Sequence, residues 1–451
     1  MKITIIGAGL AGSEAALQVA NAGVEVDLYE MRPETSTGAH KTEKSAELVC
    51  SNSLGSYDET VASGLLKAEL KILTSYLIKT AFDCKVPAGA ALAVDREGFS
   101  QTIQNMIENH PKINFIRKKI DKIPKDEVVI VASGPLTSSE LAQDILDLTG
   151  ENQMRFFDAI APIVEKSSIN FDIAFYQNRY GKGTDDYINC PMNKEQYEKF
   201  YNILINAPKI ELKNFEKKFF ESCLPVEVLA SRGTDTLRFG PMKPVGLVDS
   251  RTNEENYAVV QLRQDDKAGD LYNLVGFQTN LKWGAQKDLI HSIPGLENAN
   301  IVRYGVMHAN TFINSPKILN PTMNMRKYPN IFFAGQLTGT EGYTEAIAGG
   351  LLAGLNAVRY AKGKELLELP ETTMLGALTH YISFEGQEHF QPVNSNWGII
   401  NKEGIDRKIL KNKNRIYVKT SNRNSFEHCV NYRMTRNSIV KKQLTEVLVW
   451  R

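Results

Sequence analysis

Gly7-Ala8-Gly9-Leu10-Ala11-Gly12 separates a β-branched apolar run, Lys2 to Ile6, from a stretch, Ser13 to Ala22, whose apolar residues recur at helical spacing. Few folds tolerate that pattern. Val24 to Tyr29 reads as a second strand, so the chain opens with a βαβ unit, the start of a doubly wound sheet. Gly7 permits a tight turn, Gly9 lets a pyrophosphate approach the backbone, and Gly12 lets helix and strand pack closely. Phosphates would sit at the positive end of the helix dipole, lined by the backbone of Ala8, Leu10 and Ala11. Glu30 closes the second strand, where a carboxylate accepts from ribose hydroxyls. The pattern defines a dinucleotide site.

The rest of the chain is too long for one core. At 451 residues, 42% of them apolar, two lobes are expected. Glu127 to Ala132 reads as another buried strand and ends in Ser133-Gly134-Pro135. Asn330 to Ala334 reads as a further one and ends in Gly335, before a small-residue helix from about Thr344 to Tyr360. Pieces of one sheet therefore lie at both ends of the chain. Between them, aromatic and charged residues mix with strand-like runs such as Tyr257 to Leu262. The expected fold is α/β: a Rossmann-like FAD-binding domain of glutathione-reductase type carrying an inserted α+β domain. Its parts are 1–155 and 312–400 for the FAD domain, 156–311 for the insertion, and 401–451 for a C-terminal tail.

FAD is favoured over NAD by the late segment Gly335 to Tyr343, a glycine loop that runs from a strand into a helix. Such a helix N-terminus, here at Gly342, suits the flavin pyrimidine ring and stabilises negative charge on it. Ala346, Ala348, Gly349, Gly350, Ala353 and Gly354 would let that helix pack tightly.

Charge looks uninformative at first, with 53 Lys and Arg against 52 Asp and Glu. The last 51 residues, however, hold 13 Lys or Arg against 4 Asp or Glu. The tail is basic and the body mildly acidic. Five scattered cysteines, Cys50, Cys84, Cys190, Cys223 and Cys429, form no CxxC pair, so no disulfide framework and no metal site is expected. No apolar run reaches the length of a membrane span. A cytoplasmic protein with no membrane partner is expected.

Further motifs are more specific. Glu30-Met31-Arg32-Pro33, His40, Glu47-Leu48-Val49-Cys50-Ser51-Asn52-Ser53, Ala93-Val94-Asp95-Arg96 and Cys223-Leu224-Pro225-Val226-Glu227 follow in order. Arg232-Gly233, Thr236 to Pro244 and Gly335 to Tyr343 complete the series. Together they resemble the folate- and FAD-dependent RNA (uracil-5-)-methyltransferases, over residues 1 to 360 almost without a break. The resemblance implies that 5,10-methylenetetrahydrofolate supplies a carbon to uridine C5. It also implies that FAD carries that carbon and, recharged by NADH or NADPH, reduces it. Uracil C5 becomes nucleophilic only after a thiolate adds to C6, so a cysteine is required. Cys223 is assigned that attack, Cys50 a partner role near the flavin, and Tyr343 a role in proton movement or ring stacking. Arg232, Arg238 and Lys243 are candidates for stabilising the thiolate. His40 and His308 read as structural histidines.

RNA is the implied partner, with tRNA the first choice and the basic tail a candidate surface. Four positions depart from the tRNA-enzyme pattern: Ala309 replaces the usual arginine, Ala90 a glycine, Ala285 a glutamate and Trp397 a phenylalanine. They leave large-subunit ribosomal RNA as a second target. A related alternative is a wobble-uridine modifying flavoprotein, although such proteins are usually longer and lack the Leu48 to Ser53 segment. A different class altogether would be a non-catalytic flavin-containing RNA-binding protein, against which the presence of both Cys50 and Cys223 argues.

Overall fold

The computed structural model describes residues 1–401 except 38, 152–153, 160, 182–183, 211–223, 250, 253–255 and 388–389; at 154–159 and 307–309 it describes backbone only. Five strands form a wholly parallel sheet in the spatial order Ile331–Phe333, Val129–Val131, Lys2–Ile6, Glu25–Glu30, Ile113–Arg117. Register places Phe332, Ile130, Ile5, Leu28 and Phe115 in one row across it. The first four of these are wholly buried, as expected where helices cover both faces. Each contributes roughly 1.5–3 kcal/mol of burial. Strand order reverses beside Lys2–Ile6, and the glycine loop leaves that strand at its carboxyl end, the usual ligand crevice of such sheets.

The first helix spans Leu10–Asn21, beginning three residues before the periodic apolar run suggested. Gly12 explains the difference: a β-carbon there would lie 1.8 Å from the Gly7 carbonyl oxygen, so only glycine lets the helix start so close to the strand. The late helix, Tyr343–Ala361, crosses this first helix backbone to backbone. A β-carbon on Gly350 would lie 2.2 Å from Ala11 O, and one on Gly354 would lie 3.0 Å from Ala15 O. The small-residue face is thus the interface itself.

A second sheet of six strands is antiparallel throughout, in the order Phe175–Tyr176, Ile188–Met192, Ala258–Gln264, Leu271–Leu274, Ile163–Glu165, Ile301–Arg303. Helices Lys194–Asn206 and Trp283–His291 pack on it around Phe200, Phe277, Leu262 and Leu274. The chain passes between the two sheets along Met154–Ala159 and Met307–Phe312, which pair antiparallel with each other.

Candidate functional site

The glycine loop has the shape a dinucleotide requires. Gly7 takes φ +101°, and a β-carbon there would strike Ala132 O at 2.6 Å. Gly9 is different, because a β-carbon on it would meet nothing within 4 Å. The loop therefore has open space where the pyrophosphate would approach. Gly9 is also the N-cap of helix Leu10–Asn21, and no side chain caps that helix, which leaves its first amides for phosphate oxygens. Glu30 is 5% exposed and spans the loop: Ala8 N donates to its Oε2 at 3.0 Å, and Arg32 N and Nε donate to Oε1 at 3.1 and 2.8 Å. Burial alone would raise the Glu30 pKa; the ion pair with Arg32 and the two amides bring it below the ordinary carboxylate value. A ribose would meet an ionised acceptor. Gly134 follows strand Val129–Val131 on the same sheet edge, with φ +71° and open space beside it. These residues fit FAD.

The second wall comes from far along the chain. Gly335, at φ +78°, turns the backbone against Ala11, and Gly342, at φ +119°, forms the N-cap of helix Tyr343–Ala361 with no side-chain cap. That helix start fixes the cysteine loop. Tyr343 Oη accepts from the Cys50 amide at 2.6 Å, and Thr344 Oγ1 donates to Leu54 O at 3.0 Å. Cys50 and Tyr343, singled out separately by sequence motifs, are therefore brought together across 293 positions.

Sequence reading missed the residues that hold this loop from its other side. Arg96, at the start of helix Arg96–Glu108, donates to Leu48 O at 2.6 Å and Cys50 O at 2.9 Å. Asp265 grips the same guanidinium through Nε at 2.8 Å and Nη2 at 3.0 Å. Burial pushes the Asp265 pKa up and Arg96 pulls it further down, so the carboxyl stays below its usual range. Arg303 donates to Val49 O at 2.7 Å, and Asn52 Nδ2 to Val94 O and Gln264 O at 3.1 and 2.9 Å. Arg96 and Asn52 belong to the sequence motifs, in Ala93 to Arg96 and Glu47 to Ser53. The others carry no local signal, because sheet register alone brings them to the loop.

Cys223, the assigned nucleophile, lies outside the described residues, as do Cys429 and the basic tail beyond Asn401. Arg238, one of its suggested cationic neighbours, pairs with Asp235, donates to Tyr257 O at 2.9 Å and lies 3.5 Å over the Tyr257 ring. His40 Nδ1 lies 2.6 Å from Thr37 Oγ1; burial, with Arg32 next, lowers its pKa to about 4. The side chains of His308 and Ala309 are outside the description. Cys190 is fully buried, which pushes its thiol pKa up, and Cys84 is half-buried with the same direction of shift. Among the described residues, no helix is long and apolar enough to cross a membrane.

A parallel sheet with an open phosphate loop, an ionised ribose acceptor and a second uncapped helix facing a cysteine defines a dinucleotide-binding protein of the flavoprotein kind. Residues 2–365 match the family described as glucose inhibited division protein A. A protein of Anoxybacillus flavithermus named methylenetetrahydrofolate–tRNA-(uracil-5-)-methyltransferase TrmFO is 54% identical over 419 residues, covering 93% of this chain and 97% of its own. A protein of Natranaerobius thermophilus with the same name is 56% identical over 416 residues, covering 92% and 96%. Aquifex aeolicus GidA superposes with a TM-score of 0.64 at 18% identity over 85% of this chain and 67% of its own, a likeness of fold. The chain belongs to the glucose inhibited division protein A family, in its methylenetetrahydrofolate–tRNA-(uracil-5-)-methyltransferase branch.

Proposed function

We propose that this protein methylates C5 of a uridine in tRNA, taking the carbon from 5,10-methylenetetrahydrofolate, with FAD as cofactor and NADH or NADPH as reductant. The observation that carries this is identity above 50% along nearly the whole of relatives bearing that activity in their names. The geometry supports it: the loop shaped for a dinucleotide and the cysteine loop both lie against helix Tyr343–Ala361, the first at Gly350 and the second at Tyr343.

In this reading the Gly7–Gly12 loop and Glu30 bind FAD, and Gly342 presents the helix end to the flavin. FAD, when bound, supplies carriage of the carbon and the reducing hydride. Cys223 is the thiol that adds to uracil C6. Cys50 stands by the flavin, its amide held by Tyr343 and its carbonyl by Arg96, so its backbone is pinned on both sides. The two-lobe division, residues 1–155 with 312–400 against 156–311, leaves the target base to enter between the sheets once it is unstacked.

The test is to incubate the enzyme with methylenetetrahydrofolate and NAD(P)H on unmodified tRNA and on large-subunit ribosomal RNA in parallel, then map 5-methyluridine by mass spectrometry. Methylated tRNA is expected, and Cys223→Ala should retain flavin yet produce none. Methylation of ribosomal RNA alone would move the target, in keeping with Ala90, Ala285, Ala309 and Trp397. A protein that binds flavin and folate but methylates neither RNA would refute the assignment.

A further inference from the structure

On the antiparallel sheet Arg263 stands opposite Asn273, Asn273 opposite Ile163, and Ile163 opposite Arg303. Residues paired in this way share one face, and Asp265, two positions beyond Arg263, shares it too; a bulge between Ile301 and Arg303 interrupts the last pairing, and the bond from Arg303 to Val49 O places that side chain at the same loop. That face lies against the Cys50 loop. Asn273 Nδ2 donates to Asn52 Oδ1 at 3.4 Å, Arg303 reaches Val49 O, and Asp265 holds the Arg96 that holds Cys50 O.

Charge on this face does not balance. Three guanidiniums, Arg96, Arg263 and Arg303, surround the loop with Asp265, and both oxygens of that carboxylate are taken by Arg96. Arg263 is half-buried, yet among the described residues its side chain has no hydrogen bond or ion pair, and its Nε is shut off from solvent. Among the described residues the Arg303 side chain has the single bond to Val49 O, and its Nε is likewise buried without a partner there. Guanidiniums stay charged at any physiological pH. Desolvated donors of this kind are costly unless an anion takes them up.

We propose that Arg263 and Arg303 form an oxyanion site that receives a backbone phosphate next to the uridine being methylated. The site rests on the RNA-methylating function proposed above. The planar fork of a guanidinium matches a phosphate. The two backbones lie three strand spacings apart, about 14 Å, a gap that two arginine side chains bridge by converging on one anion. Because this face covers the loop that carries Cys50 beside the flavin site, a base brought to the flavin carries its own phosphate here. Specificity for the position of the base thus comes partly from a contact that reads no base.

Arg263→Met tests the site without orphaning any protein acceptor, and Asp265 keeps both of its bonds to Arg96. Expected are a rise of about tenfold in KM for RNA and a fall of about one in the salt slope of RNA binding. Flavin content and affinity for methylenetetrahydrofolate should stay unchanged. RNA carrying a neutral methylphosphonate at each linkage flanking the target in turn should cost the wild type the same factor at one of them, and the variant nothing further. Unchanged RNA affinity and slope would overturn the site, and so would a loss that falls on folate instead, whose carboxylates are the other oxyanion in the reaction. RNA retention on filters is measured separately from turnover. A failure of methylation itself, which sinks the functional reading, is thereby told apart from an RNA affinity that ignores Arg263.

Discussion

Gly350→Ala puts a methyl group where the two cofactor-flanking helices touch. Its β-carbon would sit 2.2 Å from Ala11 O, 2.7 Å from Ala11 Cα and 2.8 Å from Ala11 C, all backbone atoms that cannot rotate aside. Relief requires the helices to separate by about 1 Å, since non-bonded atoms settle near 3.5 Å. Overpacking of this kind costs roughly 1–3 kcal/mol or more, against a gain of about 1 kcal/mol in helix propensity. The gain cannot cover the upper part of that range, and a backbone clash belongs there. A net loss of about 2 kcal/mol is expected, equal to a fall of roughly 4–8 °C in melting temperature for a lobe of this size. Gly284→Ala is the control. It lies in helix Trp283–His291, and a β-carbon there meets nothing within 4 Å, so only the propensity gain remains. Flavin fluorescence during thermal melting reads both variants, because release of FAD reports separation of the helices. If Gly350→Ala melts at or above the wild type, as Gly284→Ala should, the small-residue interface is not what sets this packing.

Two further predictions concern charge and positioning. Glu69 accepts from Met374 N and Leu375 N at 2.8 and 2.9 Å, capping helix Met374–Ser383, and burial pushes its pKa up to about 7. The fold therefore holds a proton that the unfolded chain has released, and stability from this group, full below about pH 4.5, is lost as pH rises through about 7. Melting temperatures of Glu69→Gln should consequently gain on the wild type between pH 5 and 8, whereas parallel curves would show the carboxyl to be ionised throughout. Tyr343→Phe removes the acceptor of the Cys50 amide and should lower kcat at least about tenfold with flavin content retained; an unchanged kcat would mean that this hydrogen bond positions nothing needed for turnover.

The dinucleotide loop was legible because its signal is local. Gly7, Gly9 and Gly12 each answer to a different steric demand within six positions, and the structure shows all three. Helix starts were less legible: the expected Ser13 gave way to Leu10 because Gly12, which reads as loop in the sequence, is what lets the first turn lie against the strand. Cys50 and Tyr343 could be picked out one by one, yet their contact depends on a helix that returns some 290 residues later. Arg263, Asp265 and Arg303 were invisible for the same reason in stronger form. An arginine in a strand looks like an ordinary solvated face until pairing across four strands turns it toward the cysteine loop.

Strand Ile331–Phe333 pairs with Val129–Val131, two hundred residues upstream. A chain emerging from the ribosome must therefore wait for nearly three quarters of its length before the parallel sheet gains its last strand. Until then the edge of Val129–Val131 and the small-residue side of Leu10–Asn21 have no cover. The antiparallel lobe, whose strands are all made in that interval, can fold first and hold the two halves near each other. Loading of the cofactor is then a late event in biogenesis, and chains that stop before Gly335 should accumulate without flavin, as targets for proteolysis.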